Sequence, residues 1–519
     1  MRKPLSIPVR VESVAATPNP TESLESRLRR LSAPLKTWSE SDVRDQFQLP
    51  DPVLLIKTTL SLCPECLTHV HAAVVRDGEQ VWMHKWCLNH GASRALIEND
   101  WRFYRVSSKD QWGRHYGQMR RQDIPTFAAS SCCGPGEVCA PTGTTLAEPI
   151  DHTNQIGNKT CTVLMEVTDA CNLACRVCYS DSKGDRIIAI EEFRRYLIDL
   201  AALQGRLDSV QITGGEASLH PQFWELLQWL YEQQDAIGKI YLPTNGLLFN
   251  KDDWVERLKP YRERVLVLLQ FDGRDQNTNP SLRKAKPERQ REAVIKRLNR
   301  AGIAMQLTMT LSQDVSEADI AWVVQQGLKH KNVRLIAMQP AFYSGRYELP
   351  TDPNRRLTLS DCAKGVVAGM NGRAVLDDFL PIPCSHPNCG WVTLFARRFG
   401  LVRNIARHVD LNAVMNDVAY KTLLNRTEMQ DMLGTRGSWF SRLLARVGRK
   451  LIRPQDVFGI AIKPFMDRYT YDQDRISACC HHILDTKGQA WSFCEYNALG
   501  RSDDSWQERP EVAQRQVSS

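Results

Sequence analysis

Short apolar runs alternate with longer amphipathic stretches between residues 161 and 340. The runs have the length and composition of buried strands, and the apolar residues of the longer stretches recur with the 3.6-residue period of a helix. Successive strand–helix units predict a parallel sheet covered by helices, which we expect to curve into a partial (β/α)6 barrel of TIM-like form. The predicted strands are 162–167, 208–213, 238–243, 264–271, 303–310 and 332–338, and the predicted helices are 189–203, 221–235, 251–259, 286–301 and 316–329.

A different pattern in residues 51–104 predicts a small β module. Two β-prone runs, 71–75 and 80–84, flank the dipeptide Asp77-Gly78. An aspartate followed by glycine between two such runs is typical of a tight hairpin turn. We therefore expect the two runs to pair as neighbouring antiparallel strands.

This hairpin would bring four metal-binding side chains together. Cys63 and Cys66 precede it with the spacing C-x2-C, and Cys87 and His90 follow it with the spacing C-x2-H. Three thiolates and an imidazole are a common tetrahedral ligand set for zinc. We predict a mononuclear site for zinc or for a rubredoxin-like iron. Cysteines that only pack in the core are the alternative.

The rest of the chain divides into less regular segments. Residues 1–50 contain several prolines and lack sustained periodicity, which predicts a flexible tail with one short helix near 22–31. Residues 105–160 are interpreted as a cysteine-containing linker, and 341–519 as a C-terminal region in which cysteines return. The linker cysteines either ligate a further cluster, together with Cys161, or remain free thiols. They are Cys132, Cys133 and Cys139.

Composition narrows the class of protein. With 519 residues, 42% of them hydrophobic, the chain can fill the cores of two or three domains. Its 16 cysteines fall mostly in short clusters, which favours metal ligation over a disulfide framework. No secretory signal and no run of about 18 apolar residues occurs, so we expect a cytoplasmic protein. The net charge of +8 is modest for this length, and no nucleic-acid partner is expected.

One segment of the C-terminal region has the pattern of an interfacial helix. Between Trp439 and Arg453, aromatic and aliphatic residues fall on one helical face and basic residues on the other. A helix of this kind can lie on anionic lipid. We therefore predict peripheral contact with the inner face of the membrane; an ordinary surface helix is the alternative.

Three cysteines directly after the first predicted barrel strand give the clearest chemical signal. Cys171, Cys175 and Cys178 have the spacing C-x3-C-x2-C on a short loop. Three thiolates can hold three irons of a [4Fe–4S] cluster and leave the fourth iron open to a small molecule. A structural thiolate site, for example for zinc, is the alternative.

Polar residues also follow the other barrel strands, at the ends where the active sites of such barrels lie. The second strand ends in Gly214-Gly215-Glu216. Glycines let the backbone approach a ligand closely, and a carboxylate can accept hydrogen bonds from an ammonium group. The candidates on the later strands are Thr244, Asn245, Gln270, Asp272, Thr310 and Gln339.

Taken together, the cysteine triad and these strand ends resemble the radical S-adenosylmethionine (SAM) superfamily. The resemblance implies that the open iron binds SAM and that Gly214, Gly215 and Glu216 hold its amino group. It also implies reductive cleavage of SAM to a 5′-deoxyadenosyl radical that takes hydrogen from the substrate, with electrons from ferredoxin or flavodoxin. Many members have an aromatic residue before the third cysteine. Here Val177 stands at that position and Tyr179 follows the cysteine.

Cysteines of the C-terminal region predict an auxiliary metal centre. Cys384 and Cys389 lie on one proline-rich loop, and Cys479 and Cys494 flank a predicted β-turn. Four thiolates from two loops can bind a second [4Fe–4S] cluster. Cys480 in place of Cys479, and zinc in place of the cluster, are the alternatives.

With the N-terminal module and these cysteines, the chain is similar to the multi-cluster branch typified by archaeal tetraether lipid synthase, formerly assigned as a pterin methylase. That resemblance implies functionalisation of unactivated C–H bonds, in the form of C–C coupling of lipid hydrocarbon chains. Three alternatives stay open. They are methyl transfer to a pterin or another small molecule, maturation of a peptide, and a non-catalytic role in metal binding or electron transfer.

Overall fold

The computed structural model describes residues 24–104, 160–406 and 454–504, apart from positions 183, 185, 383, 399, 502 and 503. Two features singled out in the sequence lie outside these residues. They are the three linker cysteines (132, 133 and 139) and the basic amphipathic segment 439–453. In the ranges described we find no helix that could serve as a bilayer span.

Two helices precede the β module, α1 (Leu24–Ser32) and α2 (Glu40–Phe47). A capping box between Ser39 and Asp42 starts α2, because each residue's side chain bonds the other's backbone N–H. The helix then buries Val43 against the module. The helix α1 lies where a short helix was predicted near 22–31, whereas α2 lies in the part of segment 1–50 that was expected to be a flexible tail. Local capping, rather than long periodicity, specifies this short helix.

The module itself is a four-stranded antiparallel sheet with its strands in chain order. Gly78, with φ of 59°, lies in the tight turn between the second and third strands, where the hairpin was predicted. The strands are β1 (Leu54–Leu62), β2 (His69–Asp77), β3 (Gln80–Cys87) and β4 (Gly91–Glu98).

Buried charges fix the module to the C-terminal region. Lys57 Nζ lies 2.7 Å from Asp472 and 3.1 Å from Asp474, and Thr59 donates to Asp472 at 2.8 Å. Burial alone would lower the pKa of Lys57, but the two carboxylates outweigh it and raise that pKa. Lys85 donates to carbonyl oxygens on both sides of the contact. The module is thus held at a defined position by paired polar groups.

A parallel sheet with outer helices follows, confirming the predicted α/β fold. All six predicted strands and all five predicted helices are present, with small differences at their ends; α6 was not predicted. The strands are β5 (Thr162–Thr168), the short β6 (Val177–Cys178), β7 (Leu207–Gly214), β8 (Ile237–Thr244), β9 (Val265–Gln270), β10 (Ala304–Leu311) and β11 (Val333–Pro340). The helices are α3 (Ile190–Gln204), α4 (Phe223–Glu232), α5 (Asp252–Leu258), α6 (Thr278–Arg283), α7 (Glu288–Ala301) and α8 (Ile320–Lys329).

The C-terminal region supplies further elements. The strands are β12 (Arg346–Tyr347), β13 (Leu380–Pro381), β14 (Trp391–Arg398), β15 (Leu401–Asn404), β16 (Val457–Ile462), β17 (His481–Leu484) and β18 (Ala490–Ser492). The helices are α9 (Leu359–Gly369), α10 (Gln473–Ser477) and α11 (Phe493–Glu495), followed by a π-helical turn at Tyr496–Gly500.

These strands extend the sheet at both edges. At one edge β16 pairs parallel with β11 and β14 pairs antiparallel with β16, whereas at the other edge β17 pairs parallel with β5. The order is β13-β14-β16-β11-β10-β9-β8-β7-β5-β17-β18, so hydrogen bonds do not close the sheet. We call the gap between its two edges the seam. Side chains still meet across the seam. Cys384 lies next to β13 at one edge, and its Sγ is within 4.8 Å of the Sγ atoms of Cys161, next to β5, and Cys480, next to β17.

Candidate functional site

The interior of the curved sheet contains a cavity of about 1040 Å³. It brings together candidates that are far apart in the sequence, although Asp272 is not among the lining residues. The predicted site residues on its wall are Cys171, Cys175, Cys178, Gly214, Gly215, Glu216, Thr244, Asn245, Gln270, Thr310, Gln339, Cys384, Cys389, Cys479 and Cys494.

The loop that carries the cysteine triad is held from two sides. It leaves the fully buried β5 and ends in β6, which pairs antiparallel with β12. From the β12 side, Arg346 Nε donates to the Cys175 carbonyl at 2.6 Å. From the barrel side, an Nη of Arg283 donates to the Val177 carbonyl at 3.2 Å. The buried Arg283 and the partly buried Arg346 thus fix the backbone between the cysteines.

The three thiols suit a metal cluster. Cys171, Cys175 and Cys178 are free, half-buried and on one wall of the cavity. Burial, together with the charges of Glu216 and the other two cysteines, raises the pKa of Cys171 to about 11. Thiols in such a setting become thiolates when a metal supplies the compensating charge. The donor set therefore fits a [4Fe–4S] cluster with three protein ligands.

Two glycines let the end of β7 lie against this loop. Gly214 has φ of 132°, and a Cβ there would lie 2.1 Å from the Thr168 carbonyl oxygen. A Cβ on Gly215 would lie 2.1 Å from the Ala170 carbonyl oxygen. The same backbones hydrogen-bond, since Gly215 N donates to Thr168 and Glu216 N to Ala170, both at 2.8 Å. The glycines thus position the cysteine loop next to the carboxylate of the following residue.

Glu216 is buried, and its carboxylate is fixed by hydrogen bonds from neighbouring groups. The hydroxyls of Ser218 and Thr244 donate to Oε1 at 2.6 and 2.8 Å, and Asn245 N donates to Oε2 at 2.8 Å. Burial nevertheless raises the pKa of this carboxyl. Asn245 also reaches the cysteine loop, because its Nδ2 donates to Asn172 Oδ1 at 2.6 Å. A carboxylate in this setting is ready to face a cationic ligand group beside the triad.

Asp272 lies behind the wall of the cavity, which differs from its predicted contact with cofactor or substrate. Its fully buried carboxylate accepts two hydrogen bonds from Arg283, both at 2.7 Å, and one from Arg291 at 3.3 Å. Burial opposes its charge, but the two arginines outweigh this and lower the pKa of Asp272. Gln270 lines the cavity and donates to Asp272 Oδ1 at 2.7 Å. Asp272 therefore positions Arg283, which in turn holds the cysteine loop.

The N-terminal module contains a second group of metal ligands. Cys63 Sγ and Cys87 Sγ lie 3.5 and 3.6 Å from His90 Nδ1, and Cys66 Sγ lies 3.9 Å from Cys87 Sγ. All four ligand atoms are within 4.8 Å of one another. Despite burial, hydrogen bonds from Thr68 help to lower the pKa of Cys66 to about 6. This arrangement fits one tetrahedral metal ion.

Six cysteines lie along the seam. Cys161, Cys384 and Cys480 are buried, and their Sγ atoms are within 4.8 Å of one another. A second set consists of Cys389, Cys479 and Cys494, and Arg475 Nε lies 3.5 Å from Cys389 Sγ. Burial and the Cys389 thiol raise the pKa of Cys479 and of Cys494. The predicted auxiliary set therefore draws on both groups, and its assignment stays a prediction.

Several residues that shape the site escaped sequence reasoning. Arg283 and Arg346 hold the cysteine loop, yet an isolated arginine has no recognisable spacing. Tyr179 packs 5.2 Å from Phe493 and 6.4 Å from Phe342 between ring centroids, so it joins an aromatic cluster from the C-terminal region. Its position after the third cysteine was noted from the sequence, but its partners come from distant segments.

Two family models match this chain. Residues 165–326 match the radical SAM superfamily, and residues 55–99 match the HMPTM N-terminal zinc ribbon domain. The first match covers β5 to α8 and includes the cysteine triad. The second covers the four ligands of the module. The predicted superfamily and the predicted metal-binding module are both confirmed.

Individual proteins are also similar. A 7,8-dihydro-6-hydroxymethylpterin dimethyltransferase of Methanocaldococcus jannaschii is 22% identical over 86% of this chain and 94% of its own length. The Bacillus subtilis protein AlbA, of antilisterial bacteriocin subtilosin biosynthesis, is 31% identical over 28% of this chain and 32% of its own. The crystal structure of Streptococcus suis SuiB bound to S-adenosylmethionine gives a TM-score of 0.35 at 21% identity, covering 41% of this chain and 47% of SuiB.

Proposed function

Because residues 165–326 form a radical SAM domain, the protein is a radical SAM enzyme, and we propose that it joins the hydrocarbon chains of lipids by forming carbon–carbon bonds. The cavity is the observation that carries this proposal. Its volume is at the upper end of the range for small-molecule sites, about 300–1,000 Å³. Aliphatic side chains from several strands line it together with the triad and Glu216; these are Leu164, Leu266, Leu268, Leu335 and Leu394.

The residues around the triad have distinct proposed roles. Cys171, Cys175 and Cys178 hold the cluster, and Glu216 with Thr244 and Asn245 faces the amino group of SAM. When bound, the reduced cluster and SAM supply a 5′-deoxyadenosyl radical that takes hydrogen from an unactivated C–H bond. Apolar walls exclude water from the reacting carbons and orient the chains.

The seam cysteines are proposed to hold an auxiliary metal centre. Cys384, Cys389, Cys479 and Cys494 all line the same cavity as the triad. Joining two saturated carbons removes one hydrogen atom from each, so the first carbon-centred radical must persist until the second chain reacts. A metal centre held by these thiolates would lie beside the cavity, where it would stabilise that radical until the second chain reacts.

Methyl transfer to a pterin is the second candidate. It is favoured by the similarity to the pterin dimethyltransferase of M. jannaschii, which extends over most of both chains. The two reactions leave different products. Coupling joins two substrate molecules with loss of two hydrogen atoms, whereas methylation adds carbon from SAM to one molecule.

The experiment compares these products directly. The full chain, reconstituted anaerobically with iron and sulfide, is incubated with dithionite, methyl-labelled SAM and either a long-chain lipid or a reduced pterin. We expect a coupled lipid without the methyl label, and two 5′-deoxyadenosine molecules for each new bond. A labelled pterin and unchanged lipid would contradict lipid coupling and support the second candidate.

A further inference from the structure

The cavity continues past the residues assigned to SAM and extends to the opposite end of the barrel. Gly214, Thr244, Thr310 and Gln339 mark the carboxyl ends of four strands, and all line the wall. So do residues near or before the amino ends of the strands, where this fold is not expected to bind its substrate. These residues are Lys239, Arg262, Glu263, Gly302, Asn332 and Gln455.

Small side chains keep the interior open. Barrels of this kind are normally filled by layers of bulky side chains. Here the inward positions of β10, β11 and β16 include Ala304, Ala337, Gly459 and Ala461, which line the cavity. From Ala304 to Thr310 the wall follows β10 for about 20 Å, or roughly 15 Å along a barrel axis to which strands are tilted by about 40°. Such a bore suits an extended chain better than a compact ring.

The amino-end mouth has a cationic character. Lys239, Arg262 and Arg334 line it, with Glu263 as the one carboxylate among its lining residues. Other charges act on these groups: Arg206, Arg264 and Asp208 on Lys239, and Asp456 and Arg397 on Arg334. Cations therefore outnumber carboxylates around the opening.

Two of these cations have N–H groups that are not used in the hydrogen bonds found among the described residues. Arg334 Nη1 is buried and has no hydrogen-bond partner within the part of the chain described. Lys239 Nζ donates to the Glu263 carbonyl at 2.9 Å, which uses one of its three N–H groups. Burial and the neighbouring arginines also lower the pKa of Lys239. An anion at the mouth would supply the missing acceptors and relieve the repulsion.

We propose that a lipid enters the barrel through this amino-end mouth, with its phosphate headgroup bound by Lys239 and Arg334 and its chain running through the bore to the SAM residues. The inference rests on the proposed function and adds the direction of binding and the anionic class of the lipid. The chain that reacts thus approaches from the end opposite the cysteine loop.

Lipid binding to the reconstituted full chain tests this inference. The probe is a short-chain, monomeric phosphatidylglycerol, compared with an uncharged diacylglycerol of the same chains and with inorganic phosphate. The variant Lys239→Gln/Arg334→Gln is expected to bind the phospholipid about tenfold or more weakly. The matched control Arg289→Gln/Lys296→Gln, on the outer helix α7, is expected to bind it as wild type does.

A second variant tests the role of the bore without changing the charged residues at the mouth. Ala304→Trp narrows the interior near the mouth, and we expect it to weaken phospholipid binding while the iron content after reconstitution stays that of wild type. Equal phospholipid affinity in all variants would overturn the inference, as would binding of inorganic phosphate as tight as that of the phospholipid. Phospholipid binding that depends on Lys239 and Arg334 but yields no coupled product would contradict the proposed function and leave this inference standing.

Discussion

Cys178 and Cys362 are both free cysteines, but their surroundings differ. Cys178 lies on the cavity wall with the triad, whereas Cys362 is buried in α9 outside the cysteine groups found in the described residues. We expect Cys178→Ala to lose about four irons per chain after reconstitution, because one of three ligands is missing. Cys362→Ala serves as the control and should keep the wild-type iron content. Equal iron content in both variants would contradict the assignment of the triad.

Glu216 allows a second test at the scale of one residue. The Glu216→Gln variant keeps the shape of the side chain but loses the negative charge that would face the amino group of SAM. We expect SAM to bind about 10- to 100-fold more weakly, with iron content unchanged. Equilibrium dialysis with labelled SAM measures this, and Glu225→Gln on the exposed face of α4 is the control. Unaltered SAM affinity in Glu216→Gln would rule out the proposed contact.

At the scale of elements, the barrel strands could be predicted from the sequence, but the long-range pairings and contacts that hold them in place could not. The six long strands of the barrel and five of its helices follow from apolar periodicity, which is a local property of the chain. The pairing of β17 with β5 is not local, because it joins segments more than 300 residues apart. Asp272 was assigned to the site wall because it follows a strand, yet two arginines from α6 and α7 surround its carboxylate. No local signal reveals such partners.

The support of the cysteine loop depends on this buried ion pair. Asp272→Asn would leave Arg283 and Arg291 buried without their counter-charge, at a cost of about 3–5 kcal/mol in the free energy of unfolding. We also expect faster loss of iron, because Arg283 then holds the Val177 carbonyl less firmly. Thermal unfolding and the rate of iron release measure the two effects. The control Asp314→Asn breaks an exposed pair with Arg355 and should cost less than about 1 kcal/mol; equal effects would contradict this role.

The contact of β4 with α9 predicts a pH dependence. Glu98 is buried and accepts hydrogen bonds from Thr358 and Ser360, and burial raises its pKa to about 7. The folded state therefore holds this proton more tightly than the unfolded state. The free energy of unfolding should fall by about 3 kcal/mol as pH rises from about 4.5 to 7, and then level off. Calorimetry of wild type and Glu98→Gln checks this, and the same pH profile in both would contradict it.

At the scale of the whole molecule, the curvature of the sheet at the seam determines which cysteines lie close together. The sequence grouped Cys384 with Cys389, since the two are neighbours on one loop. In the fold, Cys384 reaches across the seam to Cys161 and Cys480, while Cys389 points toward Arg475. The curvature that brings these groups together is a property of the complete sheet. Sequence spacing could predict that metal ligands are present there, but not how they are shared between sites.

The cavity extends over the same scale. It joins the triad, the seam cysteines and the cationic mouth in one continuous space, so a single substrate chain could contact all three. No motif in the sequence predicts an open bore, because it results from small residues on three separate strands. The central claim is that hydrogen is taken from a lipid chain inside this space.

Transfer of deuterium from lipid to 5′-deoxyadenosine would show that hydrogen is taken from the lipid chain. The reconstituted full chain is reduced in the presence of SAM and a phosphatidylglycerol whose acyl chains are fully deuterated, and the 5′-deoxyadenosine formed is analysed by mass spectrometry. We expect 5′-deoxyadenosine that carries one deuterium, formed together with a coupled lipid. Formation of 5′-deoxyadenosine without deuterium, with the lipid recovered unchanged, would contradict it.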